Sequence, residues 1–495
     1  MVPVSLLFLR VRRGAAAPLT AQLIRQMRDA VLDGTLSPGD RLPSSRDLAR
    51  RLGLSRNTVV AVYDALAADG TITVEPRKGP RVASVPRRTQ TRSPLPTSSP
   101  ALSRNARRLE AAIPDARLDA LLARRPRARP FGPGIPDLDL VPMRAFERCL
   151  VRRLRGMSTS DALHDDPRGD VSLRRAVLRH VAPARGIRAT VDQVFITEGS
   201  QGGIDLCCRA LLDSSHTAWL EGPGPLALRA AVRLTGARLV LIPVDERGAR
   251  IDVALRRAPG ARIAFVSPAY AFPSGARLSL ARRLRLIDWA SKAGATIIEI
   301  DYEGELQTDG GPVQSLLALD VDGASDCVVH VGTFSRSLFP ALRLGFVIVP
   351  RALVRPLALV RAASTRTAPY PLQAALADFI EAGHWARHMR RLRLATRRRR
   401  ELVLGELRRL LPISMVPRVP AGGAILAIDL PAHVDDIALA RTLAVRGVDV
   451  LPFRDAARSS GARGLVLGIG AHSEVALQRA TEVLAAALTE AVGAQ

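Results

Sequence analysis

The segment Gly332-Thr-Phe-Ser-Arg-Ser-Leu-Phe-Pro-Ala-Leu-Arg-Leu-Gly345 is the most informative part of this chain of 495 residues. It combines hydroxyl side chains with two arginines and stands between two apolar runs. The whole chain has only two lysines, Lys78 and Lys292, and neither is near this segment. Its first cation, Arg336, carries a guanidinium that keeps its proton at any workable pH and cannot attack an aldehyde as a free amine.

Apolar runs alternate with amphipathic stretches on both sides of this segment, from residue 131 onward. Alternation of this kind predicts a mostly parallel β-sheet covered by helices, which is an α/β domain. The predicted strands are Gln193–Thr197, Ala218–Glu221, Arg238–Ile242, Arg262–Val266, Thr296–Ile300, Cys327–Val331 and Phe346–Val349.

Seven landmarks follow one another across residues 131–490. They are Gly134-Ile-Pro-Asp-Leu-Asp-Leu140, Asp166-Pro-Arg-Gly169, Thr197-Glu-Gly-Ser-Gln201, Glu221-Gly-Pro-Gly224, Phe272-Pro-Ser-Gly275, Ile298-Glu-Ile-Asp-Tyr302 and the segment 332–345. In this order they resemble the fold-type I aminotransferases, which use pyridoxal phosphate (PLP), and more closely the aminotransferase-like domain of MocR-type regulators of the GntR family. The resemblance implies a PLP-dependent transferase-like α/β domain over 131–495, with a small C-terminal lobe at about 412–495. It also implies a homodimer with pockets at the subunit interface.

The resemblance further implies a phosphate-binding half of the cofactor site, and this half is intact. Such a half consists of helix N-terminal amides, hydroxyl groups and an arginine. Ser200 and Gln201 open a helix after a strand, Thr333 and Ser335 lie in the loop, and Arg343 stands at the family's phosphate-arginine position.

The ring-binding half departs from the family pattern at three places. Arg336 stands where the family has the Schiff-base lysine. Ile300 stands where it has the carboxylate that pairs with the pyridine nitrogen; a shift of one residue would let Asp301 serve, but Tyr302 would then lose its usual spacing. Pro225 stands where it has a stacked tyrosine. Covalent attachment of PLP is therefore not expected.

These departures leave three interpretations of the pocket open. It binds another phosphorylated or anionic ligand, with Arg336 as an added cation; or Arg336 fills it, with its charge met by Asp301 or Glu299; or PLP binds without a covalent bond. Arg463 is the counterpart, by resemblance, of the arginine that binds a substrate carboxylate. No metal site is predicted.

The N-terminal part predicts a winged helix-turn-helix over residues 15–84. Helices are expected over Pro18–Asp33, Ser44–Leu52 and Ser55–Ala68, followed by a hairpin with a basic tip. Two segments resemble the GntR-family DNA-binding domain in sequence: Leu42-Pro-Ser-Ser-Arg-Asp-Leu-Ala49 and Leu54-Ser-Arg-Asn-Thr-Val59. In that arrangement the second helix of the motif enters the major groove of double-stranded DNA. The predicted DNA-binding residues are Arg46, Ser55, Arg56, Asn57, Thr58, Arg77 and Lys78.

The net charge of +26 is concentrated near the N-terminus, where residues 1–130 hold 24 Lys/Arg against 10 Asp/Glu. A basic block of this kind indicates a polyanionic partner. Residues 85–130 are rich in Pro, Ser, Thr and Arg, which predicts a flexible linker. The four cysteines lack metal or disulfide spacing, and no run is long enough to span a membrane, so a soluble cytoplasmic protein is expected.

Together these features predict a transcription regulator that binds an operator as a homodimer through its winged helix. Its degenerate aminotransferase-like domain would dimerise and sense a small anionic or phosphorylated ligand. Two alternatives stay open: a PLP-binding regulator or active PLP-dependent aminotransferase with an attached DNA-binding domain, and a dimerisation scaffold that binds no ligand. The absence of a lysine from the 332–345 segment argues against the active enzyme.

Overall fold

The structure is a computed structural model of the chain. It describes residues 8–14, 17–75, 79–84, 102–112, 129–222, 224–302, 306, 313–320, 326–417, 423–453 and 463–493. The chain divides into two compact units, residues 1–101 and residues 102–495.

Three helices form the body of the first unit: α1 (Leu19–Leu32), α2 (Ser45–Leu52) and α3 (Arg56–Ala68). The Ser44 side chain caps α2 by accepting a hydrogen bond from the Asp47 amide. Gly53, in the left-handed conformation with φ +64°, ends α2 and turns the chain toward α3. The predicted helix-turn-helix is therefore present, with bounds within one residue of those expected.

A two-stranded hairpin completes this unit. Strand β1 (Ile72–Glu75) pairs antiparallel with β2 (Gly79–Val82), and Ile72 and Val82 face each other. Both side chains are buried with the inner faces of the three helices. Apolar residues at helical spacing on α1 supply part of this core, as the periodicity predicts. The hairpin is thus the wing of a winged helix.

The second unit is built on a seven-stranded sheet, in the order β3-β11-β10-β9-β8-β4-β5. Strand β11 runs antiparallel to both neighbours, and the other adjacent strands are parallel. The strands are β3 (Val194–Thr197), β4 (Thr217–Glu221), β5 (Arg238–Ile242), β8 (Ile263–Val266), β9 (Thr296–Asp301), β10 (Val328–Thr333) and β11 (Gly345–Ile348); a separate pair is β6 (Val244–Asp245) and β7 (Gly248–Ala249). All seven predicted strands are confirmed.

Helices cover both faces of this sheet. They are α4 (Arg104–Ala112), α5 (Met143–Arg155), α6 (Thr159–Ala162), α7 (Val171–Ala176), α8 (Gly199–Leu211), α9 (Leu226–Leu234), α10 (Ile251–Arg257), α11 (Leu280–Ala293), α12 (Leu316–Leu319), α13 (Arg351–Ala362), α14 (Tyr370–Glu381) and α15 (His384–Leu410). Helices α8, α9 and α13 pack on one face. Helices α5, α7, α14, α10 and α11 pack on the other. The sheet is therefore buried on both sides, which explains its nearly continuous apolar strands.

A smaller α+β lobe ends the chain. It holds a three-stranded antiparallel sheet in the order β12-β14-β13 and two helices. Its elements are β12 (Ile425–Leu430), α16 (Asp436–Val445), β13 (Leu451–Pro452), β14 (Arg463–Gly468) and α17 (Glu474–Gly493). The C-terminal half of the long helix α15 packs on this lobe, and its N-terminal half packs on the sheet domain.

The structure differs from expectation within the predicted linker 85–130. Residues 104–112 form α4, and the Asn105 side-chain amide donates to the Leu234 carbonyl at 2.9 Å. Residues 85–101 and 113–128 lie outside the described residues. Among the helices that the structure describes, none is both long and apolar enough to cross a membrane.

Candidate functional site

The N-terminal turn of α3 presents the predicted base-reading residues. The Ser55 hydroxyl caps the helix by accepting a hydrogen bond from the Thr58 amide at 3.1 Å, and the two hydroxyls are 2.8 Å apart. Arg56 and Asn57 are exposed beside them, and Arg46 is exposed in the first turn of α2. Ser55 and Thr58 therefore hold the turn, whereas Arg56 and Asn57 extend into solvent where they can reach base edges. The other predicted contacts, Arg77 and Lys78, lie outside the described residues.

A cleft lies at the carboxyl ends of β9 and β10, the edge at which ligands bind in open α/β sheets. Three backbone segments meet there very closely. A Cβ atom at Gly345 would lie 2.7 Å from the Gly199 carbonyl carbon and 2.7 Å from the Gly332 oxygen. Only glycine fits at 345, and the 332–345 segment is thereby held against the start of α8.

The start of α8 forms one end of the cleft, which we call the candidate anion-binding end. Its first turn contains Ser200 and Gln201, and Gly199 opens it with φ +73°. The Arg343 guanidinium lies against Gly199 and donates to the Glu198 carbonyl at 2.9 Å. Free helix amides beside an arginine are a site for a phosphate or carboxylate.

Two predicted residues at this end have partners that define their position. The Ser200 hydroxyl is hydrogen-bonded to the Tyr302 phenol; burial raises the pKa of Tyr302, and Arg336 and Ser200 lower it. The Gln201 side-chain amide donates to the Ala227 carbonyl at 3.1 Å. Tyr302 is thus fixed at the start of α8 by its neighbours, within the electrostatic reach of Arg336.

The loop after β10 supplies the other two hydroxyl groups. Thr333 ends the strand, and its hydroxyl accepts a hydrogen bond from the Ser335 amide at 3.2 Å. The Ser335 hydroxyl is buried and has no hydrogen-bond partner among the described residues. A buried hydroxyl without a partner is costly, and a ligand or a water molecule would satisfy it.

The Arg336 side chain lies across the cleft against the backbone of Gly134. A Cβ atom at Gly134 would lie within 3 Å of the Arg336 guanidinium carbon, so no larger residue fits there without displacing it. Arg336 also borders a cavity of about 20 Å³ whose walls include Tyr302 and Thr333, which leaves room for about one water molecule.

The Arg336 charge is not matched by a carboxylate among the described residues. Its Nη1 is buried without a hydrogen-bond partner. Asp301 is bonded by the Arg185 guanidinium at 2.5 Å. Glu299 accepts from Ser315, from the Leu316 amide and pairs with His330. Neither of the two carboxylates that the sequence suggested for Arg336 is therefore its partner in this structure.

Asp301 and Ile300 point to opposite faces of β9, as alternate residues of a strand must. Ile300 packs with Ile298 on the face covered by α8. Asp301 meets Arg185, which ends a 3₁₀ turn (Ala182–Arg185) on the opposite face. Asp301 also lines the cavity beside Arg336, together with Tyr302 and Thr333.

Two further basic residues lie away from the cleft: Arg463, which was predicted to bind a carboxylate, and Lys292, one of the two lysines. Arg463 begins β14 and faces Asp436 at 3.9 Å, whereas Gly470, beyond the other end of that strand, borders a second cavity beside Arg336, of about 10 Å³. Arg463 and Gly468 are five residue steps apart along the strand, roughly 17 Å. Lys292 pairs with Asp288 on α11. It lies just before β9 begins, whereas Asp301 is at the other end of that strand. The structure therefore brings neither residue to the cleft.

Residues that the sequence did not single out support the cleft. Arg361 is buried, donates to Glu198 at 3.0 Å and to the Arg366 carbonyl at 2.7 Å, and burial lowers its pKa. Glu198 thus joins Arg361 and Arg343 at the start of α8. Glu198 lies inside a landmark motif and could have been proposed. Arg185 and Arg361 are two arginines among many, so the sequence gives no signal for them.

Comparisons with known proteins agree with both units. Residues 19–82 match the family described as bacterial regulatory proteins, gntR family, and residues 136–463 match aminotransferase class I and II. The chain is 32% identical over 462 residues to the probable rhizopine catabolism regulatory protein MocR of Rhizobium meliloti, covering 92% of this chain and 91% of that protein. It is 33% identical over 476 residues to the transcriptional regulator TauR of Rhodobacter capsulatus, covering 92% of each.

The fold of the second unit is that of solved aminotransferases. The kynurenine aminotransferase of Pyrococcus horikoshii superposes with a TM-score of 0.70 at 22% identity, covering 79% of this chain and 97% of that one. A winged helix joined to this fold defines a DNA-binding transcription regulator with an aminotransferase-like domain. The chain belongs to the GntR family, and within it to the MocR-type regulators.

Proposed function

We propose that the aminotransferase-like domain of this regulator senses a small anionic or phosphorylated ligand without Schiff-base chemistry. The ligand would change how the two winged helices of a homodimer are presented to an operator. The single observation that carries the proposal is the charge of the cleft: Arg343 lies against the N-terminus of α8, and no carboxylate among the described residues pairs with Arg336.

The candidate anion-binding end supports the phosphate part of this proposal. The α8 amides, the Arg343 guanidinium and the buried Ser335 hydroxyl offer hydrogen-bond donors of the kind that bind phosphate. None of these groups needs the pyridine ring or the lysine of a PLP enzyme. A ligand with a phosphate or carboxylate group would therefore find binding partners already in place.

The other end of the cleft does not fit PLP held as in an aminotransferase. Arg336 offers no free amine, and Ile300, at the family's carboxylate position, presents an apolar side chain. We therefore assign no catalytic residue and no enzymatic step to this domain.

The position of Arg336 suggests how a ligand would act. Its guanidinium contacts Gly134, and the cavity next to this contact is bordered by Gly470 of the C-terminal lobe and Thr396 of α15. An anion that pairs with Arg336 would draw the guanidinium from this contact. Because Arg336 lies between the sheet domain and the lobe, such a ligand would favour one arrangement of the two over another.

Homodimer formation belongs to the same proposal. Large apolar side chains are exposed on α5 and in the residues that follow it: Met143, Val151, Leu154, Met157 and Leu163. Exposed apolar groups of this kind are typical of subunit interfaces. Sedimentation velocity separates the dimer from the monomer, and a monomer at micromolar concentration would remove this part of the proposal.

The proposal predicts that inorganic phosphate and PLP both raise the unfolding temperature of the full-length protein, whereas pyridoxal, which lacks the phosphate, does not. A ligand at one hundred times its Kd should add about 2.7 kcal/mol to the free energy of unfolding. Arg343→Gln should abolish most of this effect. Arg355→Gln is the matched control, because Arg355 is an exposed arginine on α13, away from the cleft. The measurement is thermal unfolding against ligand concentration.

Two outcomes of this titration contradict the proposal. Equal stabilisation of the wild type and of Arg343→Gln would mean that anions bind elsewhere. Absence of stabilisation by any anion tested, together with DNA affinity that these anions leave unchanged, would favour a dimerisation scaffold without a ligand.

A further inference from the structure

The longest helix that the structure describes carries an exposed row of arginines that the regulator function described above does not use. Helix α15 runs from His384 to Leu410. Its inner face is buried, with Trp385, Met389, Leu392 and Leu407 in two hydrophobic cores. Its outer face contains the exposed residues Arg387, Arg390, Arg391, Arg398 and Arg408.

These five arginines lie on one side of the helix. At about 100° per residue, they fall within an arc of about 100°. At 1.5 Å per residue, Arg387 and Arg408 are separated by about 32 Å along the helix axis. The row is therefore a straight basic surface nearly as long as one turn of B-DNA, which is about 34 Å.

Most of this charge is not neutralised within the protein. Arg397 pairs with Glu401, and Arg409 pairs with Glu406. Among the described residues, no carboxylate pairs with Arg390, Arg391, Arg398 or Arg408. These four arginines therefore have no carboxylate partner among the described residues, and the one exposed carboxylate within the same arc, Glu401, is paired with Arg397.

The N-terminal part of the row is placed where positive charge is unfavourable. Arg387, Arg390 and Arg391 lie in the first two turns of α15, next to the positive end of the helix dipole. Burial lowers the pKa of His384, and the charges of Arg387 and of Arg148 on α5 lower it further. These like charges stand together at a cost in stability, which a polyanionic partner would offset.

We propose that this outer face of α15 binds the phosphate backbone of double-stranded DNA that flanks the sequence read by the winged helix. Guanidinium groups suit this partner because they bind phosphate oxygens with paired hydrogen bonds. DNA presents one negative charge per about 1.7 Å of its axis, so a 32 Å row faces many phosphates at once. The winged helix of the same chain already brings DNA to the protein.

The test compares two duplexes, both containing a binding sequence selected from random DNA with the full-length protein. One duplex ends at the selected sequence, and the other extends it by several helical turns on each side. The variant carries Arg390→Gln, Arg391→Gln, Arg398→Gln and Arg408→Gln. On the long duplex, we expect the slope of log affinity against log salt to become shallower by about 3. On the short duplex, the slope should stay as in the wild type.

A matched control removes four exposed arginines from four other helices: Arg285→Gln, Arg355→Gln, Arg441→Gln and Arg479→Gln. Its net charge equals that of the α15 variant, so a general charge effect would change both slopes alike. Thermal unfolding verifies that the variants fold. The α15 variant should be at least as stable as the wild type, because it loses repulsion at the helix N-terminus.

Three results would overturn the proposal. The first is a wild-type slope on the long duplex, which would leave the row solvated or bound to another polyanion. The second is an equal change in the α15 variant and the charge-matched control. The third is dissociation or altered assembly of the α15 variant in sedimentation velocity, which would make the row an interface between copies of the chain.

Discussion

Alanine at both Arg56 and Asn57 is expected to weaken operator binding by roughly 10²- to 10³-fold. Each side chain is exposed in the first turn of α3 and can make a bidentate contact with a base, which is worth about 1–3 kcal/mol. The fold should not change, because Ser55 and Thr58 still cap the helix. The measurement is titration of a selected duplex, at fixed salt, with the wild type and with the single and double variants.

The control for this experiment is Arg25→Ala. Arg25 is an exposed arginine on α1 whose only ion pair among the described residues is a 3.9 Å contact with Asp29. The Arg25→Ala substitution removes one charge from the same unit, and we expect it to have a small effect on affinity for the duplex. Should the double Arg56/Asn57 variant bind like this control, α3 would not be the recognition helix.

Replacing Arg185 alone by methionine is expected to lower the free energy of unfolding by about 3–5 kcal/mol. Arg185 and Asp301 are 5% and 10% exposed, and their side chains are 2.5 Å apart. The single variant leaves the buried Asp301 carboxylate without the guanidinium that pairs with it. Replacing both residues, Arg185→Met with Asp301→Leu, should restore most of the loss, because buried ion pairs are often replaced by apolar residues at little cost. Urea denaturation at pH 7 measures both.

An exposed ion pair serves as the comparison. Arg446 and Glu490 are 37% and 60% exposed at 2.7 Å, so Arg446→Met should change stability far less than Arg185→Met does. Two results would contradict the account of Asp301. One is a single Arg185 variant as stable as the wild type. The other is a double variant whose loss in free energy of unfolding equals the sum of the losses in the Arg185→Met and Asp301→Leu single variants. Either would mean that contacts other than Arg185 stabilise the Asp301 carboxylate.

The architecture could be predicted from the sequence because helix-end residues and apolar runs mark the helices and strands locally. Ser44, Ser55 and Gly53 mark helix ends through their own side chains or conformation, and the structure has these ends as expected. The strands are apolar over their whole length because helices cover both faces of the sheet. The order of the seven landmark motifs along the chain then indicated which α/β fold the strands form.

The contacts within the cleft could not be predicted in the same way. Arg185 and Asp301 are 116 positions apart, and only the fold brings them together. The contact of Arg336 with Gly134 joins two landmark motifs that are about 200 positions apart, and nothing in the sequence places them against each other. Arg463 was chosen by its place in a pattern, whereas the direction and length of β14 decide which residue reaches the cleft. Helix α4 was missed because its Pro/Ser-rich flanks dominate the local composition.

The most direct test of the central claim is an absorption spectrum of the full-length protein with added PLP, followed by borohydride reduction and peptide mapping. An amine in the cleft would give the band of an aldimine, which reduction fixes to the protein. We expect no such band beyond that of denatured protein, and only trace adducts at Lys78, Lys292 or the amino terminus. One PLP per folded chain, fixed at a single residue, would contradict the account and restore a covalent PLP sensor. A shift in unfolding temperature without the band is the expected result, since the phosphate would bind beside Arg343.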